Sequence, residues 1–245
     1  MKLDSVHLDE RDDRVVITLN RPSKRNAIDQ GMVDELHAVC AHLEKNPKPA
    51  LLTGGDDGIF AAGADIAQLR ERDKHDALQG INATVFERIR RLPLPTVAAI
   101  DGPALGGGAE LAYACDIRVC SDRAFFGQPE VRLGILAGAG ATYRLPQLVG
   151  ESLAKELLFT GRRMPAEEAL SARLVSNVVP PEELLAAANA ILDKIVKSSA
   201  MALQLTKLAV HSPPEAHPQI EMAAQAVLFE DDEKYARMTR FLERG

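Results

Sequence analysis

The stretch Thr96–Arg144, TVAAIDGPALGGGAELAYACDIRVCSDRAFFGQPEVRLGILAGAGATYR, decides how the rest of the chain is read. Thr96 to Ile100 reads as a strand apolar enough to be buried on both faces. Asp101-Gly102-Pro103 is turn chemistry. Gly106-Gly107-Gly108 then opens a helix, AELAYA. Asp116 to Cys120 reads as strand again, and Ala124 to Phe126 as one more short strand before GQPE.

Three consecutive glycines let a backbone approach a ligand with no Cβ in the way. At a helix N-terminus they present unpaired N–H groups and the positive end of the helix dipole, which suits an oxyanion or phosphate. The spacing is neither a P-loop nor a dinucleotide fingerprint. A tight strand-to-helix joint explains the same residues without a ligand. Glu110 lies one turn into this helix among Ala109, Leu111, Ala112 and Tyr113, and Glu130 follows Gln128-Pro129. Taken singly, Glu110 reads as a first-turn dipole partner and Glu130 as an exposed loop carboxylate. Brought together in an apolar site, the two would divide into one protonated and one ionised group, an acid and a base.

Upstream, Val6–Leu8 and Val15–Leu19 read as a hairpin. NRPSKRNA is a loop. Asp29 caps a helix with Met32, Val33, Leu36, Val39, Cys40 and Leu43 at helical spacing. Ala50–Thr53 is a buried strand. FAAGAD (Phe60–Asp65) is a second glycine loop, in which Asp65 can cap a helix and the Ala64 N–H can face a cavity. One long helical region is expected from there to about Arg91, ended by Pro93 and Pro95. From Gly138 onward the chain turns helical, with Pro165 at the first position of one helix and a last strand at Val175–Val179. The expected division is a β/α core over 1–184 and a helical region over 185–245.

The chain has 245 residues and a net charge of −6, which argues against nucleic acid or an anionic membrane as partner. Three scattered cysteines, Cys40, Cys115 and Cys120, give neither a disulfide framework nor a zinc site, and the six histidines form no ligand motif, so no metal is expected. No apolar run is long enough to span a bilayer, and the N-terminus lacks the apolar segment of a secretory signal. A cytoplasmic location is expected.

In order along the chain, NRPSKRNA, LLTG with FAAGADI, AAIDGPALGGGAELAYACDIRV, FGQPEVRLGILAGAGATYRLPQLVG and LLFTGRRMPAEEALSARLVSNVV resemble the enoyl-CoA hydratase/isomerase (crotonase) family. The resemblance implies an α/β fold, a spiral of ββα units with a C-terminal helical region that assembles trimers or dimers of trimers. It implies an acyl-CoA thioester as ligand, with no cofactor beyond the CoA of the substrate. The family's oxyanion donors map onto the N–H groups of Ala64 and Gly107, and its two hydratase glutamates onto Glu110 and Glu130. Lys24 and Arg25 would lie near the CoA phosphates, although a solvated turn explains them equally. Ala62, Asp65 and Ile66 would line the adenine and pantetheine path, and Gly106, Pro129 and Gly138 would shape the pocket.

The implied activity is reversible hydration of a trans-2-enoyl-CoA. A double-bond isomerase or another acyl-CoA lyase on the same scaffold is the alternative, and an idle CoA-binding protein a further one. Ala137, Ala141 and Tyr143 depart from the family's frequent residues beside the acyl pocket, and FLERG stops short of the family's usual tail, so a neighbouring subunit's contact to CoA is expected to be weakened or missing. The shape of the acyl pocket depends on the segment Gln68–Gln79.

Overall fold

The computed structural model describes residues 3–243. β1 (Val6–Glu10) and β2 (Val15–Leu19) form the expected hairpin, with β1 two residues longer than read. α1 (Gln30–Lys45) is capped by Asp29, whose carboxylate accepts from Met32 N, and all six apolar positions read from its spacing are buried. β3 (Ala50–Thr53) follows.

The expected long helix is instead three short ones: α2 (Ile66–Glu71), α3 (Lys74–Gln79) and α4 (Ile81–Arg90). Two local devices break it. Arg72 is extended and Asp73 starts a new helix through a capping box with Asp76; Gly80 then sits in the left-handed region at φ 61°.

β4 (Thr96–Ile100) is buried along its whole length. β5 (Pro103–Leu105), α5 (Gly107–Ala114), β6 (Ile117–Ser121) and β7 (Phe125–Gly127) complete the central stretch. Then come α6 (Ala141–Val149), α7 (Glu151–Thr160), β8 (Arg163–Pro165), α8 (Ala166–Ser171) and β9 (Asn177–Val179). Pro165 is the N-cap of α8 rather than its first residue. The chain ends in α9 (Leu184–Ile195), α10 (Ala200–His211), α11 (Gln219–Phe229) and α12 (Asp232–Leu242). The last two residues of FLERG lie outside the described residues.

Six strands form one sheet in the order β1-β2-β3-β4-β6-β9, parallel except for the β1–β2 hairpin. Strands β5, β7 and β8 form a second, smaller sheet, which Ala61 extends by a bridge to Ala104. Each turn of the chain thus gives a strand to the large sheet, a strand or bridge to the small one, and then a helix. This is the spiral of ββα units expected from the resemblance.

The inner strands of the large sheet, β2, β3, β4 and β6, are buried on both faces, and their residues alternate between two cores as the pleat requires. Ile17, Leu52, Ala98, Ile100 and Cys120 face the core shared with α1, α4 and α5. Val16, Leu51, Val97, Ala99 and Val119 face the other way, onto Leu184, Ala188 and Leu192 of α9. The expected boundary at residue 184 therefore falls at the start of a helix that covers the sheet. By contrast no apolar side chain of α10, α11 or α12 is buried among the described residues, and α10 is tied to the core through Lys207 Nζ, which donates to Asp116 Oδ2 at 2.7 Å. The three cysteines are buried, and burial pushes each thiol up to about 12, in keeping with small core residues.

Candidate active site

The glycine triplet makes a tight joint and leaves one open face. A Cβ on Gly108 would stand 2.2 Å from Ala61 O, so this residue lets α5 press directly on the FAAGAD loop. Gly106 adopts φ 50°, and a Cβ there would meet Glu130 Oε1 at 2.8 Å. Gly107, between them, has room on its open side. The point where its Cβ would lie is 3.6 Å from Ala64 N.

Ala64 reaches this point because backbone hydrogen bonds tie its loop on two sides. Ile28 N donates to Gly63 O at 2.8 Å and Asp65 N to Ile28 O at 2.9 Å, which clamps Ala64 between them. Ala61 N donates to Pro103 O and Leu105 N to Ala61 O, both at 3.1 Å, which fastens the loop to the strand that leads into α5. Neither the Ala64 N–H nor the Gly107 N–H has a protein acceptor among the described residues. Two free donors from segments forty residues apart thus face one space, a device suited to a developing oxyanion.

That space is a cavity of about 580 Å³. Of the residues singled out in the sequence, Ala62, Ala64, Ile66, Gly106, Gly107, Glu110, Pro129, Glu130 and Gly138 line it. Lys24, Arg25 and Asp65 stand outside its wall. Lys24 and Arg25 are exposed, and Arg25 O accepts from Ala62 N at 3.0 Å, which puts them at the rim. Asp65 is engaged in structure: its carboxylate accepts from Ala67 N and caps α2, and lies 3.7 Å from the Arg21 guanidinium.

The two glutamates are neither of the bland things each could have been alone. Glu110 is 3 % exposed, and its Oε1 accepts from Ala139 N at 2.8 Å and Ala141 N at 3.0 Å. Burial holds its carboxyl above the usual range, against these two donors and the Arg144 guanidinium, which pull it down. Its Oε2 takes no protein hydrogen bond among the described residues and is left for a ligand or water. Glu130 opens a short 3-10 turn (Glu130–Leu133) and is 8 % exposed. Burial, with the nearby Glu110 charge adding to it, pushes its carboxyl up to about 7.

Several contributors have no signature in the sequence. The Ala139 and Ala141 donors are backbone groups. Gln128 is buried, and with its amide nitrogen turned to Glu130 it donates to the two carboxylate oxygens at 3.1 and 3.2 Å. Arg144 is buried and bonded to Glu87, with its Nε and Nη1 unpaired among the described residues. Asn82, at the start of α4, also lines the cavity.

The description "Enoyl-CoA hydratase/isomerase" belongs to the family model that matches residues 11–245. A short-chain-enoyl-CoA hydratase of Clostridium acetobutylicum is 39% identical over 253 aligned positions, covering 100% of this chain and 97% of that protein. A crotonyl-CoA hydratase of Syntrophomonas wolfei is 36% identical, covering 100% and 97%. Among solved structures, an enoyl-CoA hydratase from Bacillus anthracis superposes with a TM-score of 0.92 at 32% identity, covering 98% of this chain and 96% of that one. One from Thermoplasma volcanium gives a TM-score of 0.89 at 34% identity, covering 97% of each. With its ββα spiral, paired buried glutamates and two free N–H donors in one cavity, the chain belongs to the enoyl-CoA hydratase/isomerase family and has the crotonase fold.

Proposed function

We propose that this protein is an enoyl-CoA hydratase, catalysing reversible syn addition of water to a trans-2-enoyl-CoA to give a 3-hydroxyacyl-CoA. The observation that carries this reading is the pair Glu110 and Glu130, two buried carboxylates in one cavity with different surroundings. Glu110, whose Oε1 is fixed by two backbone N–H donors, serves as base, and Glu130, raised to about 7, is the proton donor.

Water bound between them loses a proton to Glu110 as its oxygen bonds to Cβ. The double-bond electrons move toward the thioester, whose oxygen becomes enolate-like against the N–H groups of Ala64 and Gly107. Glu130 gives its proton to Cα, the carbonyl re-forms, and one proton remains on the pair. Water and thioester close the balance, so the step calls for no oxidant, reductant or further cofactor. Such donors are fixed before the charge appears and lower the barrier without reorganisation.

For the CoA portion, Lys24 and Arg25 at the rim meet the phosphates, and Ala62 and Ile66 the pantetheine arm. The helices α10–α12 supply the assembly surface of a trimer or dimer of trimers. Met222, Phe229, Met238 and Phe241 are each more than half exposed there, apolar side chains that association would cover.

The test is loss of conjugated enoyl absorbance over short, medium and aromatic enoyl-CoA substrates, with the product identified. A 3-hydroxyacyl-CoA formed by the wild type and lost in Glu110→Gln and Glu130→Gln is the expected result. No hydration across the panel, or full activity in both variants, removes the assignment. Absorbance loss without a hydroxyacyl product converts it to an isomerase.

A further inference from the structure

We propose that Asn82 is a third hydrogen-bond donor to the thioester oxygen, presented by Arg72; the identity of that oxygen rests on the hydratase reading above. Asn82 is the second residue of α4, 8 % exposed, and lines the cavity beside Gly107. Its Oδ1 accepts from both Nη1 and Nη2 of Arg72, each at 3.5 Å. A guanidinium only donates, so the amide oxygen must face it and the amide nitrogen must face the other way.

That direction is the face of Gly107 that Ala64 also borders. Asn82 Nδ2 lies 3.4 Å from the point where a Cβ on Gly107 would be, and Ala64 N lies 3.6 Å from the same point. Asn82 Nδ2 and Ala64 N therefore flank the same face of Gly107, and all three residues open onto one cavity. Nδ2 has no acceptor among the described residues, yet it is not sealed off as the orphaned Arg144 nitrogens are. A donor that opens onto a cavity and is not used by the protein is free to bond a ligand acceptor there.

An enolate-like oxygen is the acceptor that gains most, because the amide N–H bond to it strengthens as charge develops. Arg72 is a positioning residue in this arrangement. It holds the amide in one of its two orientations and touches no reacting atom. Arg72 also makes no ion pair among the described residues, which leaves its guanidinium for the Asn82 oxygen.

The test uses the full-length protein with Asn82→Leu, Asn82→Asp and Arg72→Met. Two readouts are taken: kcat and KM for crotonyl-CoA, and the absorbance shift of bound para-dimethylaminocinnamoyl-CoA, a conjugated thioester whose band moves to the red as its carbonyl is polarised. Removing a donor should lower kcat about 100-fold with KM little changed, and shrink the red shift. Arg72→Met should give a smaller loss of both in the same direction. Asn82→Asp keeps the shape and removes the donor, so it carries the test if the leucine variant does not fold. Wild-type kcat and red shift in a folded Asn82 variant overturn the proposal. So does a fall in rate with an unchanged shift, which would make Asn82 structural only. A wild type that shifts the probe but hydrates no enoyl-CoA removes the hydratase reading; if Asn82→Leu then loses the shift, the donor stands.

Discussion

The two walls of the cavity are built in opposite ways. On one side, all eight residues of α5 are buried, Glu110 among them, and Gly108 locks the helix against Ala61. On the other side, α2 and α3 bury no side chain among the described residues, and Leu78 is 86 % exposed. The first wall is held by the core of the protein. The second is held by local devices, an N-cap at Asp65, a capping box at Asp73 and a left-handed glycine at Gly80. Groups that must handle protons and charge need fixed geometry, which the core supplies. Short capped helices with no buried side chain give the second wall low local stability.

The rigid wall can lose its chemistry without losing its packing. Glu110→Gln keeps the volume and removes the base, so kcat should fall about 10³-fold, within the range for general acid–base groups, while the thermal unfolding temperature moves by only a few degrees. Glu130→Gln should show a loss of the same order. A variant that kept most of its rate would mean that the water is activated from elsewhere in the cavity.

The pH dependence comes next in size. The active form holds one proton on the pair, so kcat/KM should be bell-shaped and its limbs should belong to the pair rather than to either residue. The alkaline limb, where the pair gives up its remaining proton, should fall near the value of about 7 to which Glu130 is raised. The reaction takes up no net proton, so hydration and dehydration must share one profile. A rate flat from pH 6 to 9 would show that the proton on Cα does not come from Glu130.

The same carboxyl costs the fold stability. Its native value of about 7 lies above the ordinary 4.5, so the native state binds the proton more tightly than the unfolded chain. Stability from this group is complete below pH 4.5 and is lost as pH rises to 7 and beyond. The loss is on the order of 3 kcal/mol. Glu130→Gln should therefore melt higher than the wild type at pH 8 and level with it at pH 4. Equal melting at pH 8 would mean that the Gln128 amide already offsets the buried charge.

The contrast between the walls also decides what the sequence made legible. The rigid wall is written in residue types. An unbroken apolar run gave β4, helical spacing gave the buried positions of α1, and the glycine triplet marked the start of α5. The second wall has the composition of one continuous helix, and its breaks depend on Asp73 choosing to cap forward and Gly80 choosing a left-handed turn. Strands β5 and β8 are three residues long and each contains a proline, too little pattern to read. The donors to Glu110 are backbone N–H groups of Ala139 and Ala141, which every residue but proline carries. Glu110 and Glu130 could be named from a family pattern, but their burial, and with it their division into base and acid, is a property of the packed chain.

The smallest effect belongs to the second wall itself. Gly80 ends α3 and precedes α4 at φ 61° and ψ 43°. A Cβ there would stand 3.6 Å from Ala83 Cβ and 3.7 Å from Thr84 Cγ2, ordinary contact distances, so space is not the constraint. Only the backbone conformation is, at a cost of about 1–2 kcal/mol for an L-residue in the left-handed region. Gly80→Ala should spend that cost where stability is local. Amide hydrogen exchange should quicken through α2 and α3 and stay unchanged in α5, and kcat should change less than in either glutamate variant. Gly80→Asn should recover part of the loss, because asparagine tolerates this conformation better than alanine. Exchange that quickens equally in α5 would join the two walls into one cooperative unit. The site would then owe its openness to motion of the whole spiral rather than to one lightly held side.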